Sequence, residues 1–209
     1  MISARDALEQ LRDGNRRFVS DAQGRGALAD QTRRSQLGTE HNPFAIILGC
    51  SDSRVPLEII FDQGLGDLFV IRVAGNVVAP SQIGSVEYAV ERYGIPIVLV
   101  VGHTMCGAVI ATLDDLSRPS ENRSPNLRSI VSRIRPSIED LLDTDVAEDP
   151  DELLGHAVRA NIRASVDGLR HGSEIIEQLI DADKLVVVGA EYSIESGVVE
   201  FFDDSQTTE

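Results

Sequence analysis

The sequence predicts an α/β fold, a central mainly parallel β-sheet flanked by helices, with a helical arm at the N-terminus. Three observations carry this expectation. Apolar runs recur at Phe44 to Cys50, Leu68 to Val73, Ile97 to Val101 and Leu185 to Val188, each of a length that suits a strand buried on both faces. Segments with helical spacing lie between them. Strands that alternate with helices pair in parallel through right-handed crossovers. A chain of 209 residues can bury one sizeable core, so a single domain over 1–209 is expected, with 1–40 as the arm and 41–209 as the α/β core.

Taken in order, Ser3 caps a first helix carrying Ala7, Leu8, Leu11 and Phe18 at helical spacing. A second short helix follows around Ala29 to Leu37. Helices are expected at Leu57 to Phe61, Ser81 to Tyr93 and Gly107 to Leu116, then through a long region from Asn126 to Ile180. Pro136 lacks an amide hydrogen and is expected to divide that region into two pieces. Pro119 to Pro125 and Thr144 to Pro150 read as loops. Gly197 to Phe202 reads as a last strand extending the sheet edge. The arm has an apolar face that docks either on its own sheet or on a second subunit; the sequence leaves both open.

The formal net charge is −15, and Lys184 is the one lysine among 19 basic residues. Such a balance repels phosphate backbones and anionic lipid, so neither nucleic acid nor membrane is an expected partner. Glu139 to Glu152 holds eight carboxylates and no basic residue, which reads as a solvated face or as a recruitment site for a basic partner. The preference for Arg over Lys fits either a salt-rich interior or the base composition of a genome. No apolar run approaches the roughly 18 to 20 residues that span a bilayer. The N-terminus lacks the apolar centre of a secretory signal, so a cytoplasmic protein is expected.

Two motifs carry chemistry: Cys50-Ser-Asp-Ser-Arg54 and His103-Thr-Met-Cys106. Each follows an apolar strand through a glycine, Gly49 or Gly102. Parallel strands deliver such residues to the crevice at their carboxyl ends. Two thiolates and an imidazole form a ligand set suited to Zn²⁺. A third cysteine is absent, and His41, His156 and His171 have no ligand-like spacing to either motif. The fourth position is then open to water, which zinc ionises near neutral pH. The competing reading makes Cys50 and Cys106 small buried hydrophobes. Asp52 and Arg54, two positions apart, can pair so that Arg54 holds the carboxylate ionised. Asp52 then orients zinc-bound hydroxide, or the pair merely stiffens the loop.

The segments ILGCSDSRVPLEIIFDQGLGDLFVIRVAGN and IVLVVGHTMCGAV resemble the beta-class carbonic anhydrases, from about Ala45 to Val109 with gaps and more loosely at GAEYSIESGVVEFF. The resemblance implies a parallel-sheet α/β fold, zinc at Cys50, His103 and Cys106, and an Asp52–Arg54 dyad. It implies reversible hydration of carbon dioxide to bicarbonate and an obligate homodimer that often pairs into a homotetramer. It also implies a narrow apolar substrate pocket completed at the dimer interface, with matching positions at Phe69, Ala74 and Tyr88 and a backbone amide at Gly107. From the residues alone, Phe69, Ala74 and Tyr88 serve equally as core.

The chain departs from the family pattern in places. His41 stands where many members have a hydrogen-bonding Gln, and an imidazole there can donate to substrate or carry protons. The usual Arg-Asn after the second strand is Arg72-Val73, and Met105 places an apolar group between the ligands. In a subset of the family a closed form has the aspartate as fourth zinc ligand, here Asp52. That subset has an aromatic where this chain has Ile47, while Arg72 and Tyr192 match its second bicarbonate pocket loosely. Two rival functions remain. One is a relative hydrolysing carbon disulfide or carbonyl sulfide; the other is a non-enzymatic zinc or redox-sensing protein, which would not need Asp52 and Arg54.

Overall fold

The computed structural model describes residues 2–22, 31–38, 41–117 and 124–202. Among these residues five strands, β1 (Ala45–Gly49), β2 (Leu68–Arg72), β3 (Ile97–His103), β4 (Val186–Tyr192) and β5 (Val199–Phe201), form one sheet in the order β2-β1-β3-β4-β5. The first four run parallel, and β5 returns antiparallel beside β4. The apolar runs form strands because successive side chains enter opposite layers. Ile46 and Leu48 of β1 and Cys50 just after it join Val98 and Val100 of β3 in one core. Ala45 and Ile47 join Ile97, Leu99 and Val101 in the other.

Helices cover both faces. The first core is closed by α4 (Pro80–Tyr93), α5 (Gly107–Ser117), α6 (Pro125–Ile138), α7 (Pro150–Arg170) and α8 (Glu174–Asp181), through residues such as Val86, Val109, Ile134, Ile162 and Ile176. The second core is closed by α1 (Ala4–Val19) and α3 (Leu57–Ile60), through Ala7, Leu11, Leu57 and Ile60. The remaining helix, α2, covers Gln31–Gln36; Arg33 on it donates to the Leu65 carbonyl at 2.9 Å.

The arm docks on its own sheet. Ser3 caps α1, its hydroxyl accepting from the Asp6 amide at 3.1 Å. Buried Asn15 then donates to the Gly197 carbonyl and accepts from the Val199 amide, both at 2.9 Å, which fastens the helix to β5. Arg17 pairs with buried Asp62 at 2.5 Å. The bonds of Asn15 and Asp62 satisfy polar atoms that burial would otherwise penalise.

Three expectations need correction. Pro136 does not divide the long helical region: it lies inside α6, in the last turn, exposed to solvent. Buried Ile134 and Ile138 anchor that turn on either side, so one lost backbone bond does not end the helix. The break comes after Ile138, where the chain tightens into 3₁₀ turns over Glu139–Asp143 and Asp145–Glu148. Thr144 to Pro150 is therefore partly helical, and Asp149 caps α7 by accepting from the Asp151 and Glu152 amides. Lastly, β3 and β4 outrun their apolar cores, since Gly102 pairs with Glu191 and His103 with Tyr192. The start of the expected second helix, residues 29–30, and residues 119–123 of the Pro119 to Pro125 loop lie outside the described residues.

Gly102 is required by packing. A Cβ there would stand 2.5 Å from the Ile162 side chain on α7, closer than carbon atoms approach. Gly102→Ala is expected to destabilise the fold by about 1–3 kcal/mol, as overpacking of a dense core does, and urea unfolding of the purified variant measures it. Among the described residues no helix is long and apolar enough to cross a membrane.

Candidate metal centre

The sheet order determines where the two motifs meet. From β1 the chain crosses to β2 on one side and then to β3 on the other, so the crevice at their carboxyl ends is the topological switch point at which open α/β sheets bind ligands. Cys50 follows β1, His103 ends β3, and Cys106 stands one residue before α5. Met105 adopts a left-handed φ of 57°, a sharp turn that brings Cys106 back beside His103. The sulfurs of Cys50 and Cys106 and a ring nitrogen of His103 lie within 4.8 Å of one another, all three residues buried.

The hydrogen bonds around these atoms orient them for a cation. His103 Nδ1 lies 2.9 Å from the Thr104 carbonyl oxygen. That oxygen only accepts, so the ring proton sits on Nδ1 and Nε2 offers its lone pair. Nε2 is buried and has no hydrogen-bond partner, which is costly unless a ligand takes it. The Gly75 amide donates to Cys50 Sγ at 3.3 Å, from a backbone position with φ 68° that suits glycine. A hydrogen bond from Cys106 pulls the Cys50 thiol down to about 4, and the same bond, with burial, pushes Cys106 up. Burial alone lowers the imidazole of His103, but the neighbouring Cys50 thiolate, the Thr104 carbonyl and Asp52 together outweigh it and the net direction is upward. Both cysteines are free thiols. Buried soft donors at one point, with one nitrogen unpartnered, fit Zn²⁺.

Asp52 stands at the rim of this cluster, its Oδ2 4.0 Å from His103 Nε2. Arg54 grips the carboxylate three times: its amide and Nε donate to Oδ1, each at 2.9 Å, and its Nη2 to Oδ2 at 2.8 Å. That grip, chiefly the side-chain bonds, holds Asp52 well below the usual carboxylate range. Arg72 anchors the same loop from β2, through the carbonyls of Cys50 and Asp52.

Of the remaining residues singled out from the sequence, Phe69, Tyr88 and His41 form a group of their own, while Ala74 and Gly107 adjoin the centre through their chain neighbours Gly75 and Cys106. Phe69 on edge strand β2 packs with Tyr88 and Tyr93 of α4, ring centroids 6.3 Å apart in each pair. His41 joins them, its Nε2 3.0 Å from the Tyr93 hydroxyl. Tyr88 is 55% exposed; Ala74 and Gly107 are exposed as well. Ala74 immediately precedes the glycine that donates to Cys50. Gly107 opens α5, whose Ala108 and Val109 amides face Cys106. Sequence reasoning missed Gly75, Tyr93 and the anchoring by Arg72. The first two carry no local motif, and Arg72 was noted for the Arg72-Val73 pair and a loose likeness to a second pocket, not for this anchoring.

Fold and cluster together define a three-layer α/β protein with a thiol–imidazole–thiol centre at its switch point. The carbonic anhydrase family pattern matches residues 45–199. A carbonic anhydrase of Mycolicibacterium smegmatis is 40% identical over 197 residues, covering 93% of this chain and 91% of its own. Carbonic anhydrase 2 of Mycobacterium tuberculosis is 37% identical over 196 residues, with 91% and 89% covered. Among solved structures, the β-carbonic anhydrase CcaA aligns with a TM-score of 0.77 at 26% identity, over 96% of this chain and 97% of that one. The chain belongs to the β-carbonic anhydrase family and is an enzyme of that kind.

Proposed function

We propose that the chain, as one domain over residues 1–209, holds Zn²⁺ through Cys50, His103 and Cys106 and catalyses reversible hydration of carbon dioxide to bicarbonate and a proton. The observation that carries this reading is the buried Cys50–His103–Cys106 cluster with an unpartnered Nε2 beside an ionised, immobilised aspartate. Zinc supplies Lewis acidity that allows water to ionise near neutral pH. Asp52 accepts a hydrogen bond from the attacking solvent molecule and so aims its lone pair at carbon dioxide. Arg54 keeps that carboxylate ionised and fixed. Apolar walls from Phe69, Ala74 and Tyr88 suit a substrate without charge or dipole and favour release of a charged product. The Gly107 backbone and the His41 imidazole are the polar groups at the pocket, and His41 also serves as proton carrier.

The 4.0 Å between Asp52 Oδ2 and His103 Nε2 is short enough for a closed form with Asp52 as fourth ligand, and the three bonds from Arg54 favour the open one. A second copy completes the pocket in a homodimer or homotetramer. In support, β2 is an edge strand whose neighbour Tyr88 is largely exposed, and an uncovered edge invites pairing. Free thiols suit a reducing compartment such as the cytoplasm. Stopped-flow measurement on the zinc-loaded protein between about pH 7 and 9 is expected to show fast hydration of carbon dioxide. Turnover of carbon disulfide or carbonyl sulfide without carbon dioxide hydration would favour the rival hydrolase, and no turnover of any of the three would favour a sensor.

A further inference from the structure

Two carbonyl oxygens of the motif loop converge on one side chain. Arg72, the last residue of β2, donates from Nε to the Cys50 carbonyl at 3.1 Å and from Nη2 to the Asp52 carbonyl at 2.8 Å. Register brings it there. Arg72 pairs with Gly49, and the ladder continues for one more step as Val73 donates to the Gly49 carbonyl and the Ser51 amide to the Val73 carbonyl. Past Ser51 the strands part, because β2 turns into a 3₁₀ segment at Ala74–Asn76 while residues 50–54 leave the sheet. Backbone pairing ends where the chemistry begins, and the Arg72 guanidinium takes its place.

We propose that Arg72 is a positioning residue for the reaction: by clamping both carbonyls flanking Ser51, it sets the relative placement of the Cys50 sulfur and the Asp52 carboxylate. Arg54 does not duplicate the role, since its bonds go to the carboxylate end of Asp52. Arg72 fixes the main-chain end of the same residue, and only the Asp52 side-chain torsions lie between the two anchors. A planar guanidinium fork spans two acceptors at fixed spacing, whereas an ammonium is a point donor. Charge-assisted bonds of this kind are stronger than neutral ones, and partners that orient metal ligands influence affinity and rate though they touch neither substrate nor metal.

The test compares Arg72→Ala and Arg72→Lys with the parent. Hydrogen exchange of the 51–54 amides, zinc affinity by chelator competition, and kcat and KM for carbon dioxide are measured on each. Both variants are expected to exchange faster in this loop, to bind zinc about 10- to 100-fold more weakly, and to lose about tenfold in kcat with KM unchanged. Added guanidinium is expected to restore part of the loss in Arg72→Ala and none in Arg72→Lys. Should Arg72→Ala fail to fold, Arg72→Lys decides. Loop exchange and zinc affinity equal to the parent, or full activity in Arg72→Lys, would overturn the proposal. The kcat arm rests on the carbon dioxide reading; a parent without hydratase activity would defeat that reading, while exchange and zinc affinity would still judge the clamp.

Discussion

A Cys106→Ser variant is expected to lose its zinc and all hydratase activity. A serine hydroxyl at this buried position does not ionise in the accessible pH range, and as a hard neutral donor it is a poor substitute for thiolate. Only Cys50 and His103 would remain as buried donors, with the nearby Asp52 carboxylate held toward Arg54 by three hydrogen bonds. Metal analysis after dialysis is expected to give about one zinc per parent chain and close to none for the variant. A second readout needs no activity. Because the metal binds the folded state far better than the unfolded one, chelation is expected to lower the unfolding temperature of the parent and leave the variant unmoved. Full zinc occupancy in the variant would mean that Cys106 is an ordinary core residue.

Asp52→Asn is expected to retain zinc and lose about a hundredfold or more in kcat, the range that a positioned proton acceptor contributes. Asparagine keeps the shape but presents an NH₂ group where the solvent molecule needs an acceptor. Arg54→Leu separates charge from presence. Without the two side-chain bonds from Arg54, and with only the main-chain amide bond kept, the carboxylate rises toward its ordinary value of 3.8. The sign follows from the direction of the shift. A depressed acid contributes stability that is present above the unfolded value and lost as pH falls through the folded one. Arg54→Leu therefore removes stability at neutral pH and moves acid inactivation of the site to higher pH. Urea unfolding and stopped-flow pH profiles check the two halves separately. Unchanged kcat in Asp52→Asn would reduce the pair to a loop stiffener.

The strands were legible because burial on both faces leaves an unbroken apolar run, as at Ile46 to Leu48 and Val98 to Val101. Their polar ends were not: His103, Glu191 and Tyr192 continue the ladder because backbone pairing is indifferent to side-chain polarity. Pro136 misled for a related reason, since a local rule about proline yielded to the burial of Ile134 and Ile138. The two motifs stood out because their residue types are rare and chemically specific. Gly75 and Arg72 serve the same centre from β2 and the turn after it, yet their roles depend on register and on a φ value, which no spacing in the chain displays. The arm had two plausible docking surfaces until the Asn15 bonds to Gly197 and Val199, partners far away in sequence, settled on its own sheet.

X-ray absorption at the zinc edge of metal-loaded protein addresses the whole reading through its first coordination shell. Two sulfurs, one imidazole nitrogen and one light oxygen donor are expected from the clustered Cys50, His103 and Cys106 side chains. A shell without sulfur, or a loaded protein whose Cys50 and Cys106 are joined in a disulfide, would contradict it.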